Sequence, residues 1–207
     1  MLNTLISLTE TGEFEDNGTI RFESAQGTQD GFLLDFGVNP GDETGEQRWR
    51  IRCSGVRDYR LHFEFTESIR VVSEHPILLP FVEQVTSLFF TGPAQNPLAT
   101  VGALWECHRR LVGSWFPFER FLNLLPNGLS ELLATSGGQL ASGPVSVMKA
   151  YADVLTAHGV RLSMLPPRSL KYWNDGQWVI PNHTLHTLIL ESSYVVAETF
   201  DGERLGA

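Results

Sequence analysis

Cysteine is scarce in this chain. Cys53 and Cys107 are the only two among 207 residues. Two thiols do not make a disulfide framework, so free thiols in a reducing, cytoplasmic setting are expected. Long hydrophobic runs are also missing. The longest candidates, 75–81 and 184–190, are core-sized, well short of the ~18–20 apolar residues that cross a bilayer. The first residues carry no basic stretch and turn acidic at Glu10, so no secretory signal is expected. No Gly-x-Ser-x-Gly turn occurs, and the glycines of 136–144 are followed by no Lys-Ser/Thr pair, which argues against a nucleophile elbow and a phosphate-binding loop. With six histidines and two scattered cysteines, a zinc site lacks a third ligand, and no cofactor is expected.

Base is nearly absent from the first fifth of the chain. Residues 1–46 hold ten acids and one base, Arg21, and the other 161 residues hold 14 of each, so the whole formal charge of −9 sits at one end. An acidic field repels phosphate backbones and anionic lipid, so neither nucleic acid nor membrane is an expected partner. It would steer a basic partner inward, although solubility alone explains many acidic surfaces.

What is present is ordinary globular material, 42% hydrophobic and 19% charged, at a length that suits one large domain or two small ones. Six runs between 2 and 74, at 2–9, 18–25, 31–38, 47–54, 58–65 and 68–74, read as strands. They are separated by turn signals at Asn17-Gly18, Asp30-Gly31, Asn39-Pro40-Gly41 and Asp58. The spacing predicts an antiparallel meander. Alternation is cleanest in 47–53, where Arg48, Arg50 and Arg52 share one face and Trp49, Ile51 and Cys53 the other, and in 59–65, where Arg60, His62 and Glu64 oppose Leu61, Phe63 and Phe65. Residues 13–24 have the phase of half a calcium loop, but Ser24 stands where the bidentate Glu belongs. A hairpin turn accounts for Asn17-Gly18.

From Pro76 the pattern changes. Asn96-Pro97 is a cap followed by proline at the first helical position, and a helix is predicted over 97–112 with Gly113 as its stop. Leu98, Val101, Trp105, His108 and Val112 form its apolar stripe, widened by Leu104 and Leu111. Short helices are predicted around Pro117 and Pro126, a boundary loop at 136–144, and a second helix over 144–158 ended by Gly159. The remainder, 160–165, 171–180 with Asp175-Gly176 at its turn, and 183–200, reads as strands.

Four constellations bear on chemistry. Arg48, Arg50 and Arg52, with Arg60 and His62 across from them, could grip an anionic small molecule. A charge ladder with Glu23, Asp35 and Glu64 is the cheaper explanation. Trp105, Trp115, Trp173 and Trp178 could line an apolar pocket, with core packing the commoner use of tryptophan. Cys107 and His108 diverge by about 100° as helix neighbours, so a buried structural Cys and a hydrogen-bonded His108 are expected. His183 and His186 fall on opposite faces of a strand and make no metal pair.

The expectation is therefore an α+β protein. An N-terminal antiparallel sheet (1–74) packs against a helical middle segment, and an α+β lobe (75–207) ends in a hairpin and strand. Its function is expected to be non-catalytic: binding of a basic protein partner through the acidic N-terminal face, or service as a subunit of a homo- or hetero-oligomer. The alternative is a small-molecule binder or enzyme whose aromatic pocket, lined by the residues named above, recognises an anionic ligand through arginines.

Overall fold

The computed structural model describes every residue except Thr11, Asp30, Asp42, Thr44, Phe63, Glu64, Leu125, Asp175, Pro181, Asn182, His183 and Ala207, with the backbone alone at 12, 13, 15, 126, 127 and 172–174. The first elements are α1 (Leu2–Thr9), α2 (Gly12–Asn17), β1 (Thr19–Thr28), β2 (Gly31–Asn39), β3 (Gln47–Ser54), β4 (Asp58–Arg60), β5 (Phe65–Thr66), β6 (Arg70–Val72) and a 3-10 turn, Pro76–Leu78. Next come α3 (Leu79–Val82), β7 (Val85–Thr91), α4 (Pro97–Val112), a 3-10 turn at Phe118–Phe121, α5 (Pro126–Leu133), β8 (Gly137–Pro144), α6 (Val145–Ala157), β9 (Arg161–Met164), β10 (Tyr172–Asn174) and β11 (Gln177–Val179). The chain ends with β12 (His186–Leu190), β13 (Ser193–Ala197) and β14 (Thr199–Arg204). The class is α+β and its sheets are antiparallel, as expected. Among the described residues no helix is long and apolar enough to cross a membrane.

The chain divides into two compact units, Met1–Leu78 with His183–Ala207, and Leu79–Asn182. The C-terminal strands, grouped by sequence with 75–182, lie in the first unit because their pairing partners are there. A five-stranded sheet has the order β14-β3-β2-β1-β5, and a four-stranded sheet the order β4-β13-β12-β6. The β1–β2–β3 meander is present as predicted. Beyond it the run 58–65 splits: β4 joins β13, and β5 returns to pair with β1.

Alternation in β3 holds. Trp49, Ile51 and Cys53 are buried, while Arg48 and Arg52 are exposed and Arg50 half-buried on the other face. The apolar face is closed within the unit, by Leu5 of α1, Phe14 of α2 and Leu188, Leu190, Val195 and Ala197 of the second sheet. Phe22 and Phe36 stack at 5.2 Å. Burial of each such large side chain contributes roughly 1.5–3 kcal/mol.

Residues 2–9 correct the expected first strand. They form α1 because Leu2, Leu5, Ile6 and Thr9 recur at spacings of three and four, not two. Leu5 is fully buried, and the Thr9 hydroxyl donates to the Ile6 carbonyl at 2.8 Å. Asn17-Gly18 is likewise no hairpin: α2 ends there, with Gly18 N–H donating to Phe14 O at 2.7 Å. Phe65, assigned to the buried face, is 67% exposed, and Phe63 and Glu64 lie outside the described residues.

The second unit is built on a three-stranded sheet, β8-β7-β9, packed with α4, α5 and α6. Its core includes Leu88, Phe90, Leu104, Leu129, Leu140, Met148, Tyr151 and Leu155. The predicted cap of α4 is present, with Asn96 Oδ1 accepting from Ala99 N–H at 3.1 Å. The loop expected at 136–144 is corrected: it is β8. Its glycines serve close approach, since a Cβ on Gly143 would come 2.7 Å from the Phe121 ring and one on Gly137 2.7 Å from the Phe90 carbonyl. Leu140 and Ala141 between them are fully buried.

Two substitutions test this packing. A Cβ on Gly202 of β14 would lie 2.8 Å from the Leu2 Cα of α1, whereas one on Gly27 of β1 meets nothing within 4 Å. In urea denaturation Gly202→Ala should destabilise by about 1–3 kcal/mol, and Gly27→Ala should show no such steric loss. Thr187 of β12 is fully buried, and its hydroxyl has no hydrogen-bond partner among the described residues. Thr187→Val should therefore raise the denaturation midpoint, by about 1 kcal/mol of stability, with the m-value unchanged.

Candidate functional site

The arginine stripe is the first place to look, and its strand pairing decides its state. Arg50 stands opposite Asp35 of β2 and opposite Glu203 of β14. It makes a two-point contact with Asp35, Nε to Oδ1 at 2.7 Å and Nη2 to Oδ2 at 3.1 Å. The Arg50 guanidinium holds the Asp35 carboxyl below its usual range, helped by the Ser24 hydroxyl at 3.2 Å. Both side chains keep some exposure, 30% and 23%, so the pair contributes only about 1 kcal/mol. Arg48 reaches Glu23 at 3.4 Å, and Glu23 also takes Arg21 at 2.8 Å. Arg52 is exposed, faces Asp201 in the β14 register, and has no ion pair among the described residues.

A concavity of about 320 Å³ opens over these pairs, bordered by Glu23, Asp35, Arg48, Trp49, Arg50 and Leu205. It offers acid and base in near balance, because the guanidiniums are already held by carboxylates. Arg60 and His62 do not lie across from the stripe, since β4 belongs to the other sheet. Arg60 Nε donates to the Ser192 carbonyl at 3.0 Å and its guanidinium sits 5.3 Å from the Tyr194 ring centre. The backbone N–H of His62 donates to Ser193 Oγ at 2.8 Å.

The tryptophans occupy separate places on the second unit. Trp105 is 50% exposed on α4, with Arg109 5.9 Å from its ring centre. Trp115 is half-buried in the turn after α4. Trp178 is 65% exposed on β11, opposite residue 173 in the hairpin register; the Trp173 side chain lies outside the described set. The buried face of α4 runs through Thr100, Leu104, Cys107, His108 and Val112. Leu104, His108 and Val112 belong to the predicted stripe; Thr100 and Cys107 join them, while Leu98 and Trp105 are left 75% and 50% exposed.

Cys53 and Cys107 are both free and buried. Burial pushes the Cys53 thiol up to about 12 and raises Cys107 too, against the pull of Arg110. Thiols so raised are poor nucleophiles. Among the described residues no three His, Cys, Asp or Glu side chains gather as a metal-binding group; His183 is outside the described residues. Sequence reasoning missed a second concavity, of about 150 Å³, beside Ser87, Ser142 and Arg168. Ser142 lies in a stretch whose Gly, Ser and Pro content predicts a loop, and no motif flags the other two. No family model, curated protein or solved structure matches the chain.

His108 is buried with both ring nitrogens engaged, Nε2 to the Phe116 carbonyl at 2.9 Å and Nδ1 to the Tyr151 hydroxyl at 2.7 Å. A carbonyl only accepts, so Nε2 carries the proton and Nδ1 accepts from Tyr151. Burial lowers the His108 pKa and Arg109 adds to this, while the Phe116 contact and Glu119 oppose it. The folded state therefore takes up this proton at a lower pH than the unfolded chain. The site has no effect on stability above about pH 6.5, the ordinary histidine value, and costs stability as pH falls below it. Between pH 7.5 and 5.5, before the carboxylates titrate, the wild type should lose more stability than His108→Gln, by at most about 1.4 kcal/mol per pH unit. His75, also lowered by burial, is common to both proteins and cancels. Parallel curves would rule this account out.

Proposed function

We propose that the protein acts by binding, without chemistry of its own, and that the first unit presents an acidic end to a basic protein partner in the cytoplasm. One observation carries this reading. Gly41, which precedes the acid-rich stretch 42–46 in the sequence, packs on Asn17, which follows the acid-rich stretch 10–16, so closely that a Cβ on Gly41 would lie 2.8 Å from the Asn17 Cβ. Gly41 has φ +85, a region that glycine enters without strain. The bases nearby are already engaged: Arg21 holds Glu23 and Glu46, and Arg48 and Arg50 hold Glu23 and Asp35. Glu10, Asp16 and Glu43 stay exposed, with no ion pair among the described residues. Like charges gathered at one end give a field that reaches beyond single contacts at low salt. The free, buried thiols fit a reducing compartment. The self-paired arginine stripe lends less support to an anionic ligand there.

The test is titration of a lysine-rich peptide at low and at physiological salt. Two triple variants are compared, E10K/D16K/E43K at the acidic end and E106K/E131K/D153K on exposed positions of the second unit. Both change net charge equally. The first should weaken binding at least tenfold more than the second, with a shallower salt dependence. Equal losses would mean that net charge alone acts, and the reading fails.

A further inference from the structure

We infer that the outer face of the second unit's sheet carries a binding groove for a small oxyanion, a phosphate or a carboxylate head, built from Ser87, Ser142 and Arg168. The groove belongs to the second unit and is independent of the acidic end.

The inference starts from strand parity. In β7, Thr86, Leu88 and Phe90 point into the core, and Val85, Ser87 and Phe89 point to the other face. Ser87 stands opposite Ser142 of β8, and their hydroxyls are 3.2 Å apart. Ser142 Oγ also lies 3.2 Å from the Thr86 carbonyl and donates to it. Ser87 in turn donates to Ser142 Oγ, so both protons are placed within the sheet, and an oxyanion would take the place of Ser142 Oγ as the acceptor when the Ser87 hydroxyl rotates toward it.

The opposite wall is a strap that follows β9. Leu165 N–H donates to the Ser87 carbonyl at 3.0 Å, and the Thr86 hydroxyl donates to the Leu165 carbonyl at 2.6 Å. Pro166 and Pro167 follow, with fixed φ and no N–H to satisfy. Arg168 is then locked opposite Val85 by two backbone bonds, Val85 N–H to Arg168 O at 3.0 Å and Arg168 N–H to Val85 O at 2.9 Å. Partners in an antiparallel pair project to the same side, so Arg168 leaves the ladder on the face of Val85 and Ser87. The three residues border one concavity of about 150 Å³.

Charge identifies the ligand class. No carboxylate lines this concavity, and Arg168 has no ion pair among the described residues. Arg21, Arg48, Arg50 and Arg57 each meet one. A guanidinium fork beside a rotatable hydroxyl matches the oxygens of a carboxylate or phosphate. The size suits a head group: whole drug-sized ligands need about 300 Å³ or more. Val85, Leu165 and Pro166 supply an apolar rim for a short attached group.

The experiment is an NMR titration of the full chain at constant ionic strength, with inorganic phosphate in one arm and acetate in the other. Saturable shifts at the Ser87, Ser142 and Arg168 amides and the Arg168 side chain are expected, with millimolar affinity. Saturation in one arm names the class, and saturation in both admits either head. Arg168→Gln should weaken binding at least tenfold and Ser87→Ala several-fold. Arg52→Gln, at another exposed arginine without an ion pair, should leave it unchanged. Shifts that never saturate in either arm, or an equal loss in Arg52→Gln, would overturn the assignment.

Discussion

β3 is hydrogen-bonded along both edges, to β2 on one side and to β14 on the other, and the second ladder joins residues from opposite ends of the chain, Cys53 to Phe200 and Trp49 to Arg204. Everything else in the first unit is arranged about this strand. Its apolar side supplies Trp49, Ile51 and Cys53 to the core, and its wet side carries the arginines. Closing so long a loop costs conformational entropy that rises only slowly with length. Six register pairs between β14 and β3 close it, and Phe200 of β14 packs half-buried against the core of the unit. The second unit is consequently an insertion between β6 and β12, with its own sheet and its own core. The α1 helix depends on the same closure, because it rests on Gly202 of β14.

The wet side of that sheet illustrates how strand register disposes of charge. Glu23, Asp35, Arg48 and Arg50 come from three neighbouring strands and fall within reach of one another because residues two apart on a strand share a face. The acid excess of the first 46 residues is thus partly spent inside the sheet. Outside it Glu10, Asp16 and Glu43 stay exposed. In the second unit the same rule leaves the opposite result, a guanidinium and two hydroxyls on one face with no acid beside them.

Legibility varied with how local the signal was. The run Gln47–Ser54 alternates so regularly that its two faces could be assigned residue by residue. The limits of α4 followed from Asn96, Pro97 and Gly113, whose backbone preferences act over one turn. The buried face of α4 was harder. Its apolar residues cover a wide arc, and the core took Thr100, whose hydroxyl bonds to the Asn96 carbonyl at 2.9 Å, while Leu98 and Trp105 were left outside. β8 was illegible, because Gly, Ser and Pro there look like a loop. Only the nearness of Phe90 and Phe121 shows why side chains had to be absent. Of the candidate groups, the arginine stripe could be set against Glu23, Asp35 and Glu64 as a ladder, and the register then gives Asp35 to Arg50 and Glu23 to Arg48. Ser87, Ser142 and Arg168 could not be assembled, since nothing in a one-dimensional pattern brings 87, 142 and 168 together.

Sequence by itself determined the properties that arise over a few residues: the α+β class, two-residue alternation in β3, the cap and stop of α4, the confinement of the net negative charge to the first 46 residues and the absence of any assembled nucleophile motif. Tertiary structure alone decided that residues 137–144 extend, that the last strands return to the first sheet, and which charges are neutralised. These outcomes turn on packing and hydrogen bonds between residues far apart in the chain. Local propensity is worth a fraction of a kcal/mol per residue, and burial of a single large side chain outweighs it.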